Sequence, residues 1–516
     1  MQYFEQIKSR VEEYITLFVK TMVFSVVIYF VLMANQLTNP YDGLWEYSDY
    51  TAGRWELSLG RWVWLYLDRL RMGISVDPLT SLITLACFTI GMLLIIDLFG
   101  LRERKISYLI IFLFLSSASV CISLSYRYMS PTFGMAFLCN VFAGWILFRL
   151  RNMILAIVSS AVFIGLGMGL YQANIGCAGI VILGYLILLT LKEDQTVKSI
   201  MQNVGKAAVA ICGGGVLYVA GLKVHLMVFG LEMSSYNGGS SYSIGNTLRN
   251  FPASLQRSYN MMTDFYLKSF YKSNVFQEQK IYLFVFICVG LLLLRGVFLL
   301  WKKNLVKAIM YLVFLALVPP ACNAVMFIAT DTGVSMQMTA SISLAIPVML
   351  CVDAVLEEKG KMVYLLRRAT ILLMAVVLYG SIYQVQLDQN AMLEGKIATT
   401  TLAQQIVDEL EEYGHLDAEN RYCIVGLTVG NPLFDVSDMY SKANTYAAFG
   451  AWWTDPTCTR RSWQSVFSHL CGVNIPICSA DEYRAIQAEE AVQNMPIFPE
   501  EGCIMEVNGI IVVRVG

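Results

Sequence analysis

The chain of 516 residues is 57% hydrophobic and 15% charged, with a mean hydropathy of +0.57. Soluble domains carry about 25% charged residues, so this composition excludes a soluble globular enzyme and describes a polytopic membrane protein. A formal net charge of −1 provides no broad basic surface, and no nucleic-acid partner is expected.

Crossing a hydrocarbon core of about 30 Å at 1.5 Å per residue takes about 20 apolar residues. Eleven runs approach that length, at 15–35, 79–100, 106–125, 131–149, 153–171, 174–191, 205–224, 281–300, 306–328, 336–356 and 369–387. The first is read as an anchor that stays. Its leading region carries Glu5, Glu12 and Glu13, and its apolar stretch exceeds the roughly 7–15 residues of a signal-peptide core.

Lys and Arg in short connections favour the cytoplasmic side. They concentrate in alternate connections: Arg102, Arg104 and Lys105; Arg149 and Arg151; Lys192, Lys198 and Lys206; Lys302, Lys303 and Lys307; Lys359, Lys361, Arg367 and Arg368. The short connections between them, near Arg127, at 172–174 and at 331–336, hold one basic residue in all. This pattern predicts a cytoplasmic N-terminus and three hydrophilic pieces outside: loops 36–78 and 225–280, and everything from 389 onward. The expected division is a transmembrane domain, 1–388, and an extracytoplasmic α/β domain, 389–516.

The spans hold few ionisable groups beyond Lys20, Asp97, Lys223 and Asp353 near their ends. Coupled transporters place such groups at mid-depth and use paired broken helices; neither pattern is present. Gly165, Gly167 and Gly169 suit close helix packing. The run Gly213-Gly214-Gly215 lacks the Lys and Ser/Thr of a phosphate loop and is expected to loosen or kink its helix.

In the second outer loop, Ser234–Asn246 has turn composition. Phe251, Leu255, Tyr259, Met262, Tyr266 and Phe270 then recur at helical spacing, predicting a helix on the outer surface with an aromatic face, either one wall of a cleft or a connector on headgroups. In the tail, Thr401–Tyr413, Trp463–Leu470 and Ala480–Glu490 read as helices and Arg421–Leu427 as a strand. Ile504–Val507 and Ile510–Val515 form a predicted hairpin about Asn508-Gly509. His415 and His469 read as surface residues. Eight of the thirteen cysteines lie in or beside apolar spans, where Cys packs as a small hydrophobe. Cys423, Cys458, Cys471, Cys478 and Cys503 lie in the tail without metal-ligand spacing, leaving room for one or two disulfides.

The stretch Asn39–Pro78 stands apart, with carboxylates, arginines and four tryptophans between two apolar spans. A charged side chain at mid-bilayer costs about 2.5–3.5 kcal/mol on insertion scales, so this stretch belongs at a membrane surface or in a wet cavity. Asp42, Glu46 and Asp49 share a face if the segment is helical, among Tyr41, Trp45, Tyr47 and Tyr50, which suit either a sugar or headgroups. Gly53-Arg54-Trp55 recurs seven residues on as Gly60-Arg61-Trp62, in a predicted amphipathic helix running to Arg71. A carboxylate can act as general base and a guanidinium can grip a phosphate in two places. An interfacial anchoring loop uses the same residue types. Such carboxylates also suit a divalent metal, so metal use stays open and no other cofactor is expected.

Asp42-Gly43-Leu44, then Leu59-Gly60-Arg61-Trp62 and the proline-led second span at Pro78, resemble the start of the Gtr type II glucosyltransferase family of bacterial membrane proteins. Tyr171-Gln172-Ala173 and the closing MPIFPEEGCIMEVNGIIVVRVG are similar to that family as well, so the likeness runs over most of the chain. It implies a helical GT-C type fold in the bacterial cell membrane with its active site on the outer face. The implied donor is a polyprenyl-phosphate-linked sugar, usually glucose, and the implied acceptor a surface glycan such as O-antigen. The resemblance makes Asp42 the first candidate for catalytic base, followed by Glu46 and Asp49. It assigns the donor phosphate to Arg61, then Arg54, and substrate contacts to Gln172, with Trp45 and Trp62 beside them. The doubled Gly-Arg-Trp leaves two arginines for one role. Two other classes stay open: a flippase or exporter of lipid-linked sugars, which the scarcity of mid-membrane charge weighs against, and a non-catalytic glycan-binding scaffold.

Overall fold

In lipid every backbone N–H and C=O must be satisfied within its own segment, and the apolar runs accordingly fold as helices. A computed structural model describes residues 2–101, 105–236, 244–268, 270–272, 278–330, 332–356, 360–417 and 419–516. Arg102, Arg104, Asp331, Lys359 and most of the turn-rich run, 237–243, lie outside the described residues. The first helix is α1 (Gln2–Ala34); three short helices of the first loop follow, α2 (Asp42–Trp45), α3 (Arg54–Ser58) and α4 (Trp64–Leu70). Then come α5 (Leu79–Phe99), α6 (Ile106–Leu115), α7 (Ala118–Ser125), α8 (Ser130–Arg149), α9 (Met153–Leu170), α10 (Ile175–Leu191) and α11 (Val197–Phe229). The bundle is completed by α12 (Ile244–Leu267), α13 (Glu278–Trp301), α14 (Leu305–Ala316), α15 (Val318–Cys322), α16 (Val325–Ile328), α17 (Ala340–Val355) and α18 (Lys361–Glu412).

Among the described residues, nine helices are long and apolar enough to span a membrane. The pair α6–α7, bent by 44°, makes ten if it counts as one span. The predicted span at 306–328 is instead broken into α14, α15 and α16. Pro319 and Pro320 sit there without the N–H groups that would carry the helix on, and Asn323 Nδ2 bonds the Pro319 carbonyl at 3.1 Å. The chain still crosses the bundle: Lys307 donates to the Lys192 carbonyl (2.8 Å) at one end, and Val325 reaches the cavity at the other.

The two aspartates at span ends are paired. Asp97 accepts from Trp145 Nε1 (2.8 Å) and meets Arg149 at 3.0 Å, and Asp353 meets Arg367 at 2.7 Å. The triple glycine does not break α11, which runs unbroken through 213–215. A Cβ on Gly214 would lie 2.5 Å from Ile164 Cγ2, and one on Gly165 3.2 Å from the Gly214 carbonyl, so these glycines let α9 and α11 touch backbone to backbone.

α12 forms where the second loop was predicted to be helical, and its buried face includes only part of the predicted aromatic one. Ser254, Ser258, Met261 and Tyr266 are buried, while Phe251 and Tyr259 are exposed. The two serines bring the helix against α15–α16, where Ser254 Oγ donates to the Met326 carbonyl at 2.9 Å and the Ser258 carbonyl accepts from Asn323 at 3.3 Å. The small serine side chains permit this close approach.

α18 runs 52 residues without a break, so position 388 falls inside one helix whose C-terminal part packs in the tail. Its Leu402, Ala403, Ile406 and Leu410 pack against the sheet made by β1 (Tyr422–Val425), β2 (Ile504–Val507) and β3 (Ile510–Arg514). The strand order is β1-β3-β2, β3 being parallel to β1 and antiparallel to β2. Asn508 (φ +53°) and Gly509 (φ +73°) make the hairpin turn in the left-handed conformation that Asn-Gly favours. Against the sheet lies α19 (Pro456–Ser465), which continues as a wider turn through Cys471, and α20 (Ala480–Ala488). All thirteen cysteines are free thiols.

Candidate active site

The first loop is shaped by Asn39. Its Oδ1 accepts from the backbone N–H groups of Tyr41 (3.0 Å) and Gly43 (3.2 Å), and its Nδ2 donates to the Ser125 carbonyl (3.2 Å) at the end of α7. Gly43 has no room for a side chain: a Cβ would lie 2.2 Å from Thr38 Oγ1 and 2.8 Å from the Ser125 carbonyl. Leu44 is fully buried in the core of the tail domain. Asp42, between the cap and that anchor, is turned toward a cavity of about 770 Å³. Burial raises its pKa, opposed by the nearby Arg61 and Arg461 guanidinium groups, and its carboxylate has no hydrogen-bond partner among the described residues.

Arg61 reaches the same cavity from a second turn. Gly60 has φ +88°, and a Cβ there would lie 2.3 Å from the Tyr218 hydroxyl and 2.6 Å from Gln172 Nε2. Gln172 fixes this turn by donating to the Leu59 carbonyl (2.7 Å) and the Tyr218 hydroxyl (3.0 Å). The Arg61 guanidinium lies over the rings of Tyr171 (5.1 Å) and Trp64 (5.8 Å). Its Nε is buried without a hydrogen-bond partner among the described residues. A buried unpaired donor costs about 1–3 kcal/mol, and it offers an anion a site that needs no bond broken first.

Five predicted site residues, Asp42, Trp45, Glu46, Arg61 and Gln172, line this one cavity. Three do not. Asp49 is exposed and accepts from Ser48 Oγ at 3.1 Å. Arg54 is exposed at the start of α3. Trp62 points the other way, stacked on His225 at 5.0 Å and filling the space above Gly169 and Gly221. The single amphipathic helix predicted through Arg71 is divided into α3 and α4, because the Gly60 turn intervenes. Glu56, also in the wall, bonds the Gly53 N–H (2.8 Å) and the Tyr50 hydroxyl. A buried pair, Arg127 and Asp77 at 2.6 Å, holds the loop from below, with Arg127 Nη1 donating to the Tyr47 carbonyl at 2.8 Å.

Sequence reasoning missed the opposite wall. Trp453, Asp455, Thr457, Cys458 and Arg461 of the tail domain line the cavity, as do Tyr126, Tyr128 and Tyr171 from the span ends. Arg461 pairs with Glu46 at 2.7 Å and lies over the Trp45 ring. Trp45 Nε1 donates to Ser462 Oγ at 2.9 Å. Glu46 is therefore committed to an ion pair; burial raises its pKa and Arg461 opposes the rise. The density of Trp and Arg between Trp452 and Trp463 was the only signal, and nothing in its spacing pointed to a loop some four hundred residues earlier. No group of three or more His, Cys, Asp or Glu among the described residues is arranged to hold a metal ion.

A family model described as Glucosyl transferase GtrII matches residues 35–357, more than half of the chain. The chain belongs to the glucosyl transferase GtrII family. Membership carries glucosyl transfer as its activity, on what the apolar helices describe as a multi-pass membrane protein. In this GtrII protein Asp42, Glu46, Arg61 and Gln172 fall within the matched region, and Trp453, Asp455 and Arg461 lie beyond its end. No curated protein and no solved structure matches the chain.

Proposed function

We propose that this GtrII protein moves glucose from a polyprenyl-phosphate donor to a surface glycan, O-antigen-like or another wall polysaccharide, on the outer face of a bacterial cell membrane, in a GT-C type arrangement. The observation that carries the reading is the presence of Asp42 and Arg61 in one cavity, the carboxylate without a hydrogen bond and the guanidinium with an unused buried donor among the described residues. The cavity opens at the end of the bundle away from the Lys307–Lys192 contact, which under the positive-inside rule is the outer end.

The step is a direct displacement. Asp42 takes the proton of the acceptor hydroxyl as its oxygen bonds the anomeric carbon, and the bond from that carbon to the phosphate oxygen breaks. Polyprenyl phosphate leaves with the electron pair, and Arg61 receives its negative charge. The elevated pKa of Asp42 suits a base, since a less stabilised carboxylate holds a proton more firmly. Glu46, neutralised by Arg461, supports the loop.

Purified protein reconstituted with labelled polyprenyl-phosphate glucose tests this reading. A transferase consumes donor only when a glycan acceptor is present. A flippase redistributes donor between leaflets without consuming it, and a scaffold does neither; either result overturns the proposal.

A further inference from the structure

We propose that the tail domain forms the acceptor-binding half of the cavity, with the Trp453 indole as the platform for a pyranose ring of the acceptor glycan. The inference rests on the transfer reading above and adds the surface that selects the acceptor.

The wall is built, not incidental. Trp453 lines the cavity yet remains 47% exposed. It stacks on Tyr41, the residue before Asp42, at 4.8 Å with the rings 22° from parallel, and meets Trp45 edge-on at 5.6 Å. Asp455, two residues on, is exposed in the same wall and fixes the start of α19 by accepting from the Thr457 N–H at 2.9 Å. This wall is clamped to the base loop by the Arg461–Glu46 pair, by the bond from Trp45 to Ser462, and by Ser465 Oγ on the Leu44 carbonyl.

A pyranose has one flat face of C–H bonds and a rim of hydroxyls. An indole takes the face and a carboxylate takes the rim; Trp453 and Asp455 present both beside the proposed base. The donor side needs a cation for phosphate and a route for a lipid, and Arg61 and the spans supply these. A hydrophilic glycan must come from the other side, where the tail domain stands. The family match covers residues 35–357, which include Asp42 and Arg61, and Trp453 and Asp455 lie beyond its end.

The test uses full-length protein in liposomes, labelled polyprenyl-phosphate glucose, and envelope polysaccharide extracted from the organism that encodes the chain. Trp453→Ala is expected to raise the KM for the polysaccharide about tenfold, the order of one lost stacked ring, with the KM for donor unchanged. Trp453→Leu, which keeps apolar bulk without a ring, is expected to show a similar rise and serves if the alanine variant does not fold, and Trp453→Phe, which keeps a ring, is expected to recover most of the loss. An unchanged polysaccharide KM in the folded ringless variant, or polysaccharide and donor KM rising together, overturns the proposal. Failure of the wild type to consume donor is a different result and sinks the transfer reading itself.

Discussion

The two Gly-Arg-Trp copies give the sharpest comparison, because the same three residues meet opposite surroundings. Arg61→Ala removes a guanidinium that lies in the cavity over Tyr171 and Trp64, and Arg54→Ala removes an exposed one outside it. Two stability terms oppose each other at Arg61. Losing the ring contacts costs about 0.5–2 kcal/mol, and removing the unpaired buried Nε returns about 1–3 kcal/mol. The melting temperature should therefore change little. Catalysis has no such compensation: a hydrogen bond to a charged group contributes about 1.5–3 kcal/mol, so its loss lowers kcat/KM for donor roughly 10- to 150-fold. Arg54→Ala should stay within about twofold, as surface changes do. The assay is transfer from polyprenyl-phosphate glucose over a range of donor concentrations, with melting of each variant as control. A folded Arg61→Ala protein with wild-type donor kinetics, or a larger loss in Arg54→Ala, would refute the assignment.

Asp42→Asn should reduce transfer about 100- to 10,000-fold, the range for a lost general base, while donor still binds; normal transfer removes Asp42 from the role. Because burial raises the Asp42 pKa, the acid limb of the kcat/KM profile should lie above the ordinary aspartate range, and Arg461→Gln, which removes a cation that lowers it, should move the limb higher; a limb that moves down contradicts the electrostatics. Gly60→Ala meets both a positive φ and atoms at 2.3 and 2.6 Å and should cost about 1–3 kcal/mol along with activity. Gly53→Ala, at the N-cap of α3 with its nearest atom at 3.9 Å, should cost less, about 1 kcal/mol from the poorer cap, and equal melting temperatures for the two would contradict the packing. Arg127→Met leaves Asp77 buried without its partner, since both side chains are at most 2% exposed; it should lower stability by about 3–5 kcal/mol, and adding Asp77→Asn should restore much of it. The check is denaturation of both variants in the same detergent.

What the chain's pattern determined by itself was everything governed by local energetics. Burying apolar runs in lipid forces helices, so membrane class and most spans were legible, as were the Asn508-Gly509 hairpin and the isolation of Asn39–Pro78 as the charged stretch. Where local pattern and packing diverge, the tertiary structure decided. The run 306–328 is apolar enough to span, but it breaks at Pro319–Pro320 and packs on the serines of α12. The copies at Arg54 and Arg61 are alike in sequence, and only the Gly60 turn, held by Gln172 from another helix, directs one of them into the cavity. The carboxylates at Asp42, Glu46 and Asp49 share a spacing but not a fate: one is open, one is paired with Arg461 and one is exposed. Trp453 and Arg461 could not be read from the sequence because no periodicity links them to residues 42–46. They arrive there because α18 carries the chain out of the bundle and Leu44 is buried in the tail's own core, a contact set by packing across the whole length of the molecule.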